Sequence, residues 1–149
     1  MERDYRQYIR KVSRITVLTA ILVLNEAGEV LLQQRPGGDI WGLPMGKLNP
    51  SESLEEAARR ELWEETALTA KDIRLMHMFS GPNFKRVHEN GDEEFMVIAL
   101  YEAKGLHSEL APKAHANGAL RFYVTDQLPD FAPLSELLMK EICDILPKL

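Results

Sequence analysis

A single cysteine, Cys143, stands in a chain of 149 residues. It excludes an intrachain disulfide and any cysteine-built zinc cluster. Its apolar setting, "EICDIL", suits a packed thiol rather than a nucleophile. Positive charge is also short: 18 lysines and arginines face 23 aspartates and glutamates, for a formal net charge of −5. That removes any general electrostatic pull toward a nucleic-acid duplex or an anionic membrane. The sequence therefore predicts neither a nucleic-acid polymer nor a membrane as partner, and a small anion would need local cations or a metal. No apolar run is long enough to span a bilayer. The nearest approach, "ITVLTAILVL" after "MERDYRQYIRKVSR", looks like a leader, but its charges are mixed in sign and no small-residue cleavage site follows. The run reads as a buried strand, and the cytoplasm is the expected compartment. Histidines at 77, 88, 107 and 115 show no ligand spacing. Repeats, low-complexity tracts and linkers are absent as well, so residues 1–149 are expected to form one domain.

What is present is an ordinary globular composition, 45% hydrophobic and 28% charged. Residues 2–11 suggest a short helix. Ile15–Leu24 and Glu29–Arg35 read as strands joined by the turn "NEAG". The Gly- and Pro-dense stretch "PGGDIWGLPMGKLNPSE" reads as a long loop with one short extended piece at Trp41–Leu43, and loops of this length are usually functional. Ser53 and Glu56 form a capping box that starts a helix running to about Leu68, with Leu54, Ala57, Ala58 and Leu62 as its packing stripe. Strands are expected over Ile73–Ser80, Phe84–His88, Glu94–Glu102, Leu106–Leu110 and Ala119–Val124. "ENGD" makes a hairpin turn after the second of these, and a last helix spans Leu134–Leu146. Strands with one central and one terminal helix predict an α/β or α+β sheet sandwiched by helices.

The central helix carries an apparent conflict. Glu61, Glu64 and Glu65 fall within an arc of roughly 100°. Like charges at that spacing cost roughly 0.2–0.5 kcal/mol per pair, and they sit at the helix end where the macrodipole favours cations. A solvated acidic face, covered by Arg60 reaching Glu56 and Glu64, is one reading. A divalent cation is the other, and all-oxygen ligation without nearby His or Cys points to Mg²⁺ or Mn²⁺.

Upstream context bears on that choice. "GKLNPSESLEEAARRELWEETAL" places Gly46, five residues, Glu52, seven residues, then Arg60-Glu61-Leu62-x-Glu64-Glu65-x-Ala67-Leu68. This resembles the signature of the Nudix (MutT-like) hydrolases, GX5EX7REUXEEXGU, where U is a bulky aliphatic residue. "WGLPMGK" resembles the loop that enters this box, and the order of the other elements is similar across most of the chain. The resemblance implies an α/β/α sandwich, with a mixed sheet between the box helix and the C-terminal helix. It also implies Mg²⁺-dependent hydrolysis of a nucleoside diphosphate linked to another moiety.

By position, the resemblance assigns Glu61, Glu64 and Glu65 to metal sites, with Glu61 or Glu64 as candidate base and the Gly46 carbonyl as an extra ligand. Glu52 and Arg60 take supporting roles, Arg60 orienting the acids or serving structure alone. Arg35, which ends a strand before the loop, is the first candidate for a phosphate contact, with a solvated arginine as the alternative. Trp41 either stacks on a base or packs the loop, and Trp63 reads as packing. Asp92, Glu93 and Glu94 form a polar turn or add a metal ligand.

Ala67 departs from the signature, standing where the family has glycine. Met45 and Ser51 replace glycines common in related loops. "KAHANGALRF" lacks the acid that many members carry before this strand. Pro82 falls where some ADP-ribose-hydrolysing members carry a proline, and Phe84 occupies the region of the tyrosine of diadenosine polyphosphate members. The expected partner is thus a small-molecule nucleotide diphosphate derivative, ADP-ribose or a nucleotide sugar ahead of a nucleoside triphosphate. A homodimer is compatible with the sequence. The competing reading is a non-catalytic nucleotide-binding or regulatory module on the same fold.

Overall fold

The computed structural model describes residues 12–36, 39–107, 119–131 and 133–145. The helix expected over 2–11 and the loop over 111–118 lie outside them. The long apolar run forms β1 (Ser13–Val23), and the chain continues through β2 (Val30–Gln34), β3 (Trp41–Gly42), β4 (Met45–Lys47), α1 (Leu54–Thr66), β5 (Thr69–Phe79), β6 (Lys85–Val87), β7 (Glu93–His107), β8 (Leu120–Tyr123) and α2 (Pro133–Ile145). β1 pairs in parallel with β7 along its whole length, from Ser13 opposite Glu93 to Val23 opposite Ala103. β4 pairs antiparallel on the other side of β1, while β5 and β6 pair antiparallel with β7. A second sheet has the order β3-β2-β8.

Parallel strands need cover on both faces, and alternation along β1 supplies two apolar surfaces. Ile21 and Val23 pack with Ala58 and Leu62 of α1 and with Ala99 and Tyr101 of β7. Leu18, Ala20 and Leu22 pack with Leu32, Trp41, Leu138 and Ile142. The result is the expected mixed α/β sandwich, with α1 on one face of the large sheet and α2 on the other. The turn "NEAG" joins β1 to β2 as expected, yet sends them into different sheets. It is held by Asn25, whose Oδ1 accepts from the Glu29 amide at 2.9 Å.

Differences from the sequence reading have local causes. The Gly-Pro stretch contains β4, a three-residue edge strand too short to show periodicity. Leu106 and His107 belong to the end of β7, and the rest of the strand expected over Leu106–Leu110 lies outside the described residues. β5 begins at Thr69, because its charged residues Lys71, Asp72 and Arg74 face solvent on an edge strand. No helix among the described residues is long and apolar enough to cross a membrane.

Both ends of α1 are built as their residues dictate. Glu56 N–H donates to Ser53 Oγ at 3.0 Å and Ser53 N–H donates to Glu56 Oε1 at 3.1 Å. At the far end Ala67 adopts the left-handed conformation, φ 58° and ψ 25°, and its N–H donates to the Trp63 carbonyl. A Cβ costs about 1 kcal/mol there relative to glycine. Ala67→Gly is therefore expected to raise stability by about that amount in urea unfolding, with an unchanged dependence on denaturant.

Candidate functional site

The C-terminal half of α1 faces β4, and this pairing assembles the acids. Arg60 is the organising cation. Its Nε donates to Glu52 Oε2 at 2.6 Å, its Nη1 to Glu61 Oε1 at 2.7 Å and to Glu64 Oε2 at 3.1 Å, and its Nη2 to the Lys47 carbonyl at 2.9 Å. One guanidinium thus ties two signature glutamates on α1, a third in the preceding loop, and β4. Its pKa is raised, chiefly by the bond to Glu52, and the same bond holds the Glu52 carboxyl below the usual range.

Glu61 is the buried member, 6% exposed. Its carboxylate lies directly on Gly46, where a Cβ would overlap it. Burial pushes its pKa up, and the neighbouring charges of Glu64 and Glu65 add to the rise against Arg60. Thr19, opposite Gly46 in the β1–β4 register, buries a hydroxyl with no hydrogen-bond partner among the described residues. The structure therefore brings Gly46, Glu52, Arg60, Glu61 and Glu64 together, with Glu65 within electrostatic range. Among the described residues no three acidic, His or Cys side chains converge on one point as a preformed metal cluster. The donors are nonetheless of the right chemistry. They are hard carboxylate oxygens, one of them buried and seated directly on the Gly46 backbone, and such a set fits a hard divalent cation.

Arg35 sits beside these acids. Its Nη2 donates to the Leu43 carbonyl at 2.7 Å; burial lowers its pKa while Glu65 and Glu61 oppose the shift. It also lines a cavity of about 660 Å³ on the opposite face of the sheet, which it shares with Gly46, Lys47, Lys85 and Arg86. Leu18, Met96 and Leu134 form part of the apolar wall. The acidic face and the cavity meet at the β4 edge, with Arg35 reaching both.

Trp41 lies elsewhere in the design. It is buried in the core, its ring edge-on to Tyr123 at 5.2 Å, which is the packing alternative. Glu94 is no exposed turn residue: it is 4% exposed and lines the cavity, with Thr16 Oγ1 donating to it. Lys47, Lys85 and Arg86 escaped the sequence reading, since no spacing links them and only strand pairing brings them to one cavity.

A family model described as NUDIX domain matches residues 14–141. An RNA pyrophosphohydrolase of Actinobacillus pleuropneumoniae serotype 5b is 46% identical over 56 residues, which are 38% of this chain and 27% of that protein. The chain spans about a quarter to a third of the length of the curated relatives it matches, 27% to 32%. Among solved structures, a mutator MutT protein from Bacillus halodurans is 26% identical with a TM-score of 0.66, covering 85% of this chain and 81% of that one. The NUDIX domain of Shewanella oneidensis NrtR, solved with ADP ribose, is 20% identical with a TM-score of 0.60, covering 98% and 99%. At that identity it shows the fold alone.

These relatives correct one expectation. A purely small-molecule partner, with no nucleic-acid polymer, does not stand when the matched curated proteins are RNA pyrophosphohydrolases. The physical reason is that net charge sums the whole chain, whereas a polyphosphate end meets only the cations local to one cavity.

Proposed function

The chain belongs to the NUDIX family of hydrolases, and on that premise we propose that it is a Mg²⁺-dependent pyrophosphohydrolase. Its substrate is a nucleotide diphosphate moiety, here the polyphosphate at an RNA 5′ end. The single observation that carries this is the seating of the buried Glu61 carboxylate on Gly46 beside Glu64, Glu65 and Arg60. Matches to the family model and to the curated relatives support the bond class. The cations Arg35, Lys47, Lys85 and Arg86 around the adjoining cavity suit a polyanionic end. The whole chain, 1–149, is taken as one such domain.

Glu61, Glu64, Glu65 and the Gly46 carbonyl would hold the cation, in competition with Arg60 for the same carboxylate oxygens. A bound Mg²⁺ supplies neutralisation of phosphoryl charge and a lowered pKa for water. Arg35 anchors the phosphates where the acidic face and the cavity meet. Glu52 holds Arg60, and Arg60 in turn orients the acids. Glu61 or Glu64 accepts the proton of the attacking water.

The substrate is tested by supplying a 5′-triphosphorylated oligoribonucleotide, ADP-ribose and a nucleoside triphosphate in parallel with Mg²⁺ and measuring phosphate, pyrophosphate and mononucleotide release. Turnover of the RNA ahead of the others is expected. Preference for ADP-ribose would overturn the substrate while leaving the bond class. Binding throughout without turnover would instead support the non-catalytic module.

A further inference from the structure

Glu94 is used by none of the chemistry above, yet it is a buried carboxylate in the wall of the substrate cavity. Strand register explains how it is held. It lies opposite Arg14 of β1 and opposite Arg86 of β6, so one row across the sheet reads Arg14, Glu94, Arg86. Thr16 Oγ1 donates to its Oε2 at 2.5 Å, His88 Nε2 lies 3.2 Å from its Oε1, and Arg14 Nε lies 3.8 Å away. Arg14, and Lys47 within electrostatic range, already balance its charge. It neither calls for a metal nor suits a phosphate. The hydroxyl of Thr16, His88 and the nearby cations hold its carboxyl below the usual range, so at neutral pH it only accepts hydrogen bonds. A carboxylate offers about four lone-pair sites, and the contacts from Thr16 and His88 leave some free.

Its position says which donor those sites meet. Gly46, at the phosphate end, lies opposite Thr19 of β1, three residues from Thr16. That is about 10 Å of strand. The floor from Gly46 toward Glu94 carries Leu18 and then, opposite Thr16, Met96. A polyphosphate held at Arg35 and Gly46 would lay its nucleoside along this floor, with the far edge of the base toward Glu94.

We propose that Glu94 is a specificity residue that accepts a hydrogen bond from the exocyclic amino group of a purine at the reacting 5′ end. This rests on the hydrolase reading above. The pairing is chemically the same as carboxylate recognition of a base amino group in nucleic-acid grooves.

The test compares substrates that differ only in that group. These are triphosphorylated trinucleotides beginning with guanosine or inosine, and with adenosine or unsubstituted purine riboside, each turned over by wild type, Glu94→Gln and Glu94→Ala. Wild type is expected to prefer the amino-bearing member of at least one pair by about ten-fold or more in kcat/KM. In Glu94→Ala that ratio falls to about two-fold or less, and in Glu94→Gln it falls part of the way. Circular dichroism melts identify any variant that fails to fold, in which case the other supplies the ratio. Ratios near one for both pairs in wild type, or a preference unchanged in the folded variants, would overturn the assignment of Glu94. Loss of the hydrolase reading is distinguishable, because wild type would then release nothing from any of the four.

Discussion

Glu64→Gln is expected to lower turnover by about 10³-fold or more while leaving the protein as stable as before. Cation stabilisation of phosphoryl charge supplies several kcal/mol, and each 1.36 kcal/mol is ten-fold in rate. The stability side follows from exposure. The Glu64 side chain is 51% exposed, and its bond to Arg60 is an i,i+4 pair, a type that contributes about 0.3–0.5 kcal/mol. Arg60 keeps its closer bonds to Glu52 and Glu61, so the clamp survives. A steady-state assay together with a thermal melt checks both halves. A parallel fall in activity and melting temperature would place Glu64 in the scaffold instead of the chemistry.

Gly46→Ala should also be damaging, about ten-fold less so and by another route. The added Cβ would overlap the Glu61 carboxylate, which is the far end of a flexible side chain and can move aside. Stability then changes by about 1 kcal/mol or less, within the range of mild overpacking. The carboxylate, however, leaves its place on β4. A displacement on the order of 1 Å can cost about 100-fold in rate, and that is the loss expected in kcat. Metal titration of the variant should require more Mg²⁺ than wild type. Full activity at wild-type Mg²⁺ would mean that the seat of Glu61 on Gly46 is incidental.

The contrast between these residues marks how far sequence reading reached. The acid spacing, the Ser53 capping box, the "ENGD" hairpin and the helix ending at Ala67 are local, and each was legible because its partners lie within a few residues. Glu61 and Gly46 were paired only through the family signature; their contact depends on β4, whose three residues carry no pattern of their own. Glu94, expected in a polar turn or as an added metal ligand, has its partner Thr16 78 residues away in the chain. It is the parallel pairing of β1 with β7 that joins them. The cavity cations were hidden for the same reason. Lys47 comes from β4, while Lys85 and Arg86 come from β6. A net charge of −5 gave no hint of them, and so the exclusion of a nucleic-acid partner failed. Trp41 shows the reverse case, a loop aromatic that the core absorbed.

The proposed chemistry requires the acidic face of α1 to seat a divalent cation during hydrolysis. The most direct measurement is the rate of phosphate and pyrophosphate release from a 5′-triphosphorylated oligoribonucleotide, first with a chelator and then with Mg²⁺ restored. Release that ceases with the chelator and returns with Mg²⁺ in wild type, but returns to no more than about a thousandth of that rate in Glu64→Gln, is the predicted result. Release that continues undiminished in the chelator, and equally in Glu64→Gln, would contradict the account.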